Sequence, residues 1–83
     1  MNKAQIVIVK WRDARFYSET RSAERIKEVR MAVFESVGFL ISRDGVTTII
    51  AAEHNDEKDY RDVTLIPSGS IESIRRLSLG PLV

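Results

Sequence analysis

Cysteine is absent from the 83 residues, so the chain has neither a disulfide nor a thiolate metal site to hold it together. A domain of this length buries a limited share of its surface and is marginal on its core alone. Association between copies is the natural second source of burial. Histidine occurs once, as His54, and no glycine-rich phosphate loop is present, which leaves few routes to catalysis. His54 stands beside Asn55, Asp56, Glu57 and Asp59, but the group lacks the paired-ligand spacing of a zinc site and reads as a solvated loop. No pair of carboxylates sits on an apolar background, where a raised pKa would suit acid catalysis. The expectation is a protein that is not an enzyme, with no cofactor and no metal.

Long apolar runs are also missing. The opening "MNKAQIVIVKW" carries one lysine before only four consecutive apolar residues, Ile6 to Val9, too few for a signal-peptide core or a membrane span. This predicts a soluble, cytoplasmic protein with no membrane partner. Formal net charge is +1, which by itself points to no polyanion. Its distribution is uneven: residues 1–30 hold eight Lys/Arg against four Asp/Glu, and residues 31–62 hold three against seven. Opposite charges on opposing faces would suit a head-to-tail oligomer, whereas scattered solvated charge would mean nothing of the kind.

What is present is β-rich. "QIVIVKWRD", Gln5–Asp13, is dense in β-branched residues and reads as a first strand. Ser18, Thr20 and Ser22 are capping residues, and Ala23, Ile26, Val29 and Val33 follow at intervals of three or four. That spacing predicts a short amphipathic helix over residues 22–30. Asp44-Gly45 signals a two-residue hairpin of type I′ with positive φ at both positions, joining a long strand, Ala32–Arg43, to a second over residues 46–53. Gly38 inside the long strand marks a bend or bulge.

Residues 54–62 are polar throughout and read as a loop, after which "VTLIP" supplies another strand, stopped by Pro67. "PSGS" then forms a turn. In "IESIRRL", Ile71, Ile74 and Leu77 recur every third residue, a helix-like spacing in a β context that periodicity alone leaves open. Gly80 and Pro81 keep the tail from continuing a helix or pairing centrally in a sheet. The total is one all-β domain over residues 1–83, with five short strands, mostly antiparallel, and one helix after the first strand.

Arg12, Arg15, Arg21, Arg25, Lys27 and Arg30 interleave with Phe16 and Tyr17, the texture of a single-strand nucleic-acid surface. Glu24 and Glu28 dilute that field, and Arg25, Lys27 and Arg30 do not share one helix face, so a role in solubility competes with it.

"GFLISRDGVTTII" carries a glycine, a leucine two residues on and an aspartate six on: Gly38, Leu40 and Asp44. In this it resembles the first motif of the Sm and Sm-like proteins. "LIPSGSIESI" is similar to their second motif, an apolar strand meeting a glycine-containing turn and then two apolar residues three apart, here Ile71 and Ile74. The whole chain also resembles small proteins of unassigned function from bacteriophages and bacteria, through Trp11-Arg12-Asp13-Ala14, Val37-Gly38 and Ile66-Pro67. The resemblance implies a five-stranded, strongly bent antiparallel Sm-like barrel, with the helix inserted after the first strand. It implies a homo-oligomeric ring of five to seven subunits, joined through the fourth and fifth strands, in a bacterial host cell. It also implies that Ile71 and Ile74 reach the core across a bend in the last strand.

RNA is the partner class of this family, and the resemblance places its candidate nucleic-acid site at Asp44, Val46, Thr48, Ser68 and Gly69. The departures are specific. Where RNA-binding members stack a base on an aromatic or histidine, this chain has Val46, which has no π-face; where they use an asparagine amide, it has Thr48. Ser68 stands before Gly69 in place of the usual basic residue. The expected function is therefore a ring protein without the usual uridine pocket. The alternative is a small barrel for protein interaction or assembly, with Trp11, Phe39 or Tyr60 on its contact surface.

Overall fold

In the computed structural model, which describes residues 5–16, 18 and 20–78, β-branched residues open the fold as strand β1, Gln5–Asp13. A short helix α1, Ala23–Lys27, follows, then β2, Ala32–Arg43, and β3, Thr47–His54. Strand β4, Tyr60–Pro67, leads through a single 3-10 turn, Ser68–Ser70, into β5, Ile71–Arg76. All pairings are antiparallel and the spatial order is β4-β3-β2-β1-β5. The five-stranded antiparallel sheet and the helix after the first strand agree with expectation. Tyr17 and the tail residues Gly80 and Pro81 lie outside the described residues.

The sheet curls but does not close. Its two edge strands are consecutive in sequence, and four Cα steps from Pro67 to Ile71 span at most about 14 Å. Five flat strands would put their outer members about 19 Å apart, so the corner at the 3-10 turn forces curvature. Among the described residues no ladder joins β4 to β5, and the sheet keeps two free edges where the expected barrel would have none.

The concave face holds the core: Val7 and Val9 from β1, Ile50 from β3 and Ile66 from β4, with Trp11, Leu40, Ile71 and Ile74 packed against them. Two local devices shape it. Gly38 is required by close approach, since a Cβ there would lie 2.8 Å from the Ala51 carbonyl oxygen and 3.2 Å from Ile50 Cβ. In β5, Ser73 pairs with Lys10 and Ile71 with Trp11, so Glu72 is an extra, bulged residue. The bulge puts Ile71 and Ile74 on one face despite their spacing of three, which accounts for the helix-like periodicity. A second bulge falls at Ile41, between the pairs Leu40↔Ile50 and Ser42↔Ile49.

Three expectations are corrected. The helix covers five residues and none of them is buried. Ser22 caps it through Oγ, which accepts from the Arg25 N–H at 3.3 Å, but Val33, expected on its apolar face, pairs with Arg12 in β2. Without a surface to pack on, an isolated helical pattern propagates poorly. The Asp44-Gly45 turn is not type I′, since neither residue has positive φ. Instead the Asp44 carboxylate accepts from the N–H groups of Val46, at 2.7 Å, and Thr47, at 2.8 Å, satisfying the turn without left-handed backbone.

The polar stretch 54–62 is loop only at its centre: its ends belong to strands, with His54 opposite Tyr60 and Glu53 opposite Arg61. The connection narrows to residues 55–59, where the Asn55 side chain accepts from the N–H groups of Glu57 and Asp59 and Lys58 takes a φ of 67°.

The β2–β3 ladder ends at Phe39↔Ala51. Before Phe39, β2 pairs with β1 alone; beyond Ala51, β3 pairs with β4 alone. The sheet thus forks into two ribbons. The first carries the excursion of residues 14–31, the second the acidic connection. Among the described residues no helix is long and apolar enough to cross a membrane.

Candidate functional site

The five residues singled out from the sequence lie together at the corner where the β2–β3 turn meets the β4–β5 turn. Opposed pairs Thr47↔Pro67 and Thr48↔Ile66 bring the two turns side by side. The Ser68 N–H donates to the Val46 carbonyl oxygen at 2.9 Å, and the Ser68 hydroxyl donates to the Asp44 carbonyl oxygen at 2.7 Å. Ser68 Oγ lies 2.9 Å from Thr48 Oγ1. With the serine proton directed at Asp44, Thr48 is the donor of that pair. Two backbone N–H groups hold the Asp44 carboxyl below the ordinary carboxylate range, Thr47 contributing most and Val46 next.

This corner is a clasp in which the polar groups face one another. Thr48 is fully buried while Val46 is 78% exposed. A base approaching the corner would meet a valine and no free amide. Gly69 and Gly45 each have open space where a Cβ would stand, so neither glycine is required by close approach of the protein's own atoms. The departures noted in the sequence therefore have a structural counterpart: the candidate residues are adjacent, but the Thr48 and Ser68 hydroxyls donate within the fold.

His54 is the last residue of β3, not a loop residue. Its ring lies 5.5 Å from that of Phe39 and 5.3 Å from that of Tyr60, centroid to centroid. A cleft of about 290 Å³ beside it is lined by Glu53, His54, Asn55, Asp59, Tyr60 and Arg61. Arg61 is already engaged, donating from Nη2 and Nε to the two Glu53 carboxylate oxygens at 2.5 and 3.2 Å. Among the described residues no three histidine or acidic side chains are placed to hold a metal ion. Of the other aromatics proposed for contact, Trp11 is part-buried, packs its ring 5.4 Å from that of Phe34 and donates its Nε1–H to Ser36 Oγ at 3.0 Å.

Sequence reasoning missed a second cleft, of about 280 Å³, lined by Gln5, Val7, Leu40, Arg43, Ile74, Arg75 and Arg76. It lies where β1 begins and β2 and β5 end. Three arginines line it and no acidic residue does. The Arg75-Arg76 pair was visible in the sequence, but Arg43 lies some thirty positions away, and only the β1-centred pairing brings them together. The first ribbon carries a different feature, a set of exposed apolar side chains that includes Phe16, Ile26, Met31 and Val33.

No family model matches the chain, and neither does any curated protein or solved structure.

Proposed function

We propose that the chain is a non-enzymatic protein of Sm-like architecture, of phage or bacterial origin, that assembles into a closed ring of five to seven copies and takes nucleic acid as its partner without the family's uridine pocket. The observation that carries this reading is the pair of edges, β4 and β5, that the described residues leave free on one sheet. Unpaired edges template association, and two different edges on one subunit favour head-to-tail contacts that close into a ring when the rotation allows. Val63 and Leu65, both well exposed on β4, supply apolar area to such a contact. The Gly38, Leu40, Asp44 register and the Ser68–Ser70 turn support the family reading, and completion of the barrel belongs to the same proposal.

Light scattering coupled to size exclusion tests the ring: a mass of five to seven chains is expected, and a strict monomer at micromolar concentration overturns it. For RNA, the expectation is weak, salt-sensitive binding to oligo-uridine that Thr48→Ala leaves unchanged. Tight binding abolished by that substitution would restore the uridine pocket.

A second reading, a protein interaction or assembly module, is favoured by the exposed apolar side chains of the first ribbon, since such patches mark contact surfaces. Its test is retention of a partner from nuclease-treated lysate by the parent protein and loss of that partner from a Phe16→Ser, Ile26→Ser variant.

A further inference from the structure

We infer that the cleft formed by Arg43, Arg75 and Arg76 over Val7, Leu40 and Ile74 binds a phosphodiester of a single-stranded nucleic acid, with the arginines on the phosphate and the apolar floor against the sugar or base. The inference rests on the nucleic-acid part of the proposed function and not on the ring.

Among the described residues none of the three guanidinium groups has an ion pair or hydrogen bond to another side chain. The contrast with the other basic side chains of the sheet is direct. Lys10 and Arg12 are both paired to Glu72, and Arg61 to Glu53. Arg43, Arg75 and Arg76 line one concavity with no acidic residue in its lining, and clustered like charge focuses a positive potential there. A bound anion neutralises that potential.

Arginine is the side chain whose planar fork fits phosphate oxygens two at a time. The floor argues against a bare inorganic anion, because Val7, Leu40 and Ile74 offer it nothing, whereas a nucleotide unit has an apolar surface to lay on them. At about 280 Å³ the cleft falls just short of the roughly 300 to 1,000 Å³ usual for small-ligand pockets. That suits one unit of a strand that continues past the cleft better than a whole enclosed ligand. The same site supplies what the corner lacks: the basic residue missing before Gly69 is replaced in function by arginines brought from β2 and β5.

Fluorescence anisotropy with labelled oligo-uridine and oligo-adenosine on the full chain tests the inference, using the Arg43→Gln, Arg75→Gln, Arg76→Gln triple variant. Three phosphate contacts on a single strand predict a fall in affinity of about 20-fold between 50 and 200 mM salt. The triple variant should bind at least tenfold more weakly at 50 mM and lose about two units of that logarithmic salt slope. A matched Arg25→Gln, Lys27→Gln, Arg30→Gln variant should bind within about threefold of the parent.

Unchanged binding in the first variant, loss only in the second, or no binding by the parent each overturns the site. Light scattering on the first variant separates this from assembly. An unchanged mass with lost binding supports the site, whereas a collapsed mass shows that the arginines hold a neighbouring copy and overturns it. A parent that is monomeric yet binds through these arginines refutes the ring and leaves the site standing.

Discussion

The corner at Asp44 and Ser68 and the excursion between β1 and β2 are built on opposite terms. At the corner, small polar side chains satisfy one another and the backbone, and directly beneath them Ile66 and Thr48 are fully buried. In the excursion the five-residue helix buries nothing, Phe16 is 89% exposed and Ile26 56% exposed. The corner's hydroxyls find their partners within the fold; the excursion has apolar side chains that stand exposed. Function is better sought where groups lack internal partners than where family motifs fall.

The sharpest way to break this contrast is to hollow the corner from beneath. Ile66→Ala removes a fully buried side chain that packs with Val7, Val9 and Ile50, and such truncations cost about 2 to 5 kcal/mol. Against a total stability of roughly 5 to 15 kcal/mol, the urea midpoint should fall steeply. A loss below about 1 kcal/mol would show that the corner is not anchored to the core.

The clasp itself comes next. Thr48→Val keeps the shape and removes the hydroxyl that donates to Ser68 Oγ, and should cost about 1 kcal/mol, the net worth of one buried hydrogen bond. Because Ser68 retains its own bond to the Asp44 carbonyl, the turn should stay in place. Asp44 gives a smaller, pH-dependent signal, since its carboxylate is exposed to solvent. Its pKa is lower folded than unfolded, so its stabilisation is complete above the unfolded value near 3.9 and fades as pH falls through the folded value. Asp44→Asn should remove that acid limb from a stability profile; an identical limb in both proteins would assign it to other carboxylates.

Much of this fold was legible in the residues. β1 and β2 run over the predicted spans because β-branched density and polar flanks mark them; Gly38 signals a bend or bulge in the sequence, whereas the register shifts at Ile41 and Gly38 answers to close approach of the Ala51 carbonyl. The spacing of Ile71 and Ile74 leaves helix and bent strand open by periodicity alone, because a bulge at Glu72 adds one residue to a period of two, and a spacing of three then imitates a helix. The Asp44-Gly45 signal located a turn but not its type, because the competing device, a carboxylate capping two N–H groups, needs only the aspartate. The helix was overdrawn because periodicity reports a face without reporting whether anything lies against it. The site divided in the same way. The motif positions were adjacent as expected, but whether their polar groups were free depended on Ser68 reaching across from the other turn. The arginine cleft depends on two strands that are distant in sequence both lining the end of β1.

The excursion offers the finest distinction. If its apolar residues face only water in the free chain, the Phe16→Ser, Ile26→Ser double variant should change unfolding stability by less than about 0.5 kcal/mol per site. Serine caps and turns as readily as it sits exposed, so no backbone penalty offsets this at Phe16, which lies outside any helix or strand. The measurement is a urea midpoint for parent and variant at two protein concentrations a hundredfold apart. Coincident curves would establish that these two side chains contribute nothing to the stability of the folded monomer. A midpoint that rises with concentration in the parent and not in the variant would show that another copy of this chain covers them. The two regions would then differ only in whether their partner lies within the same chain.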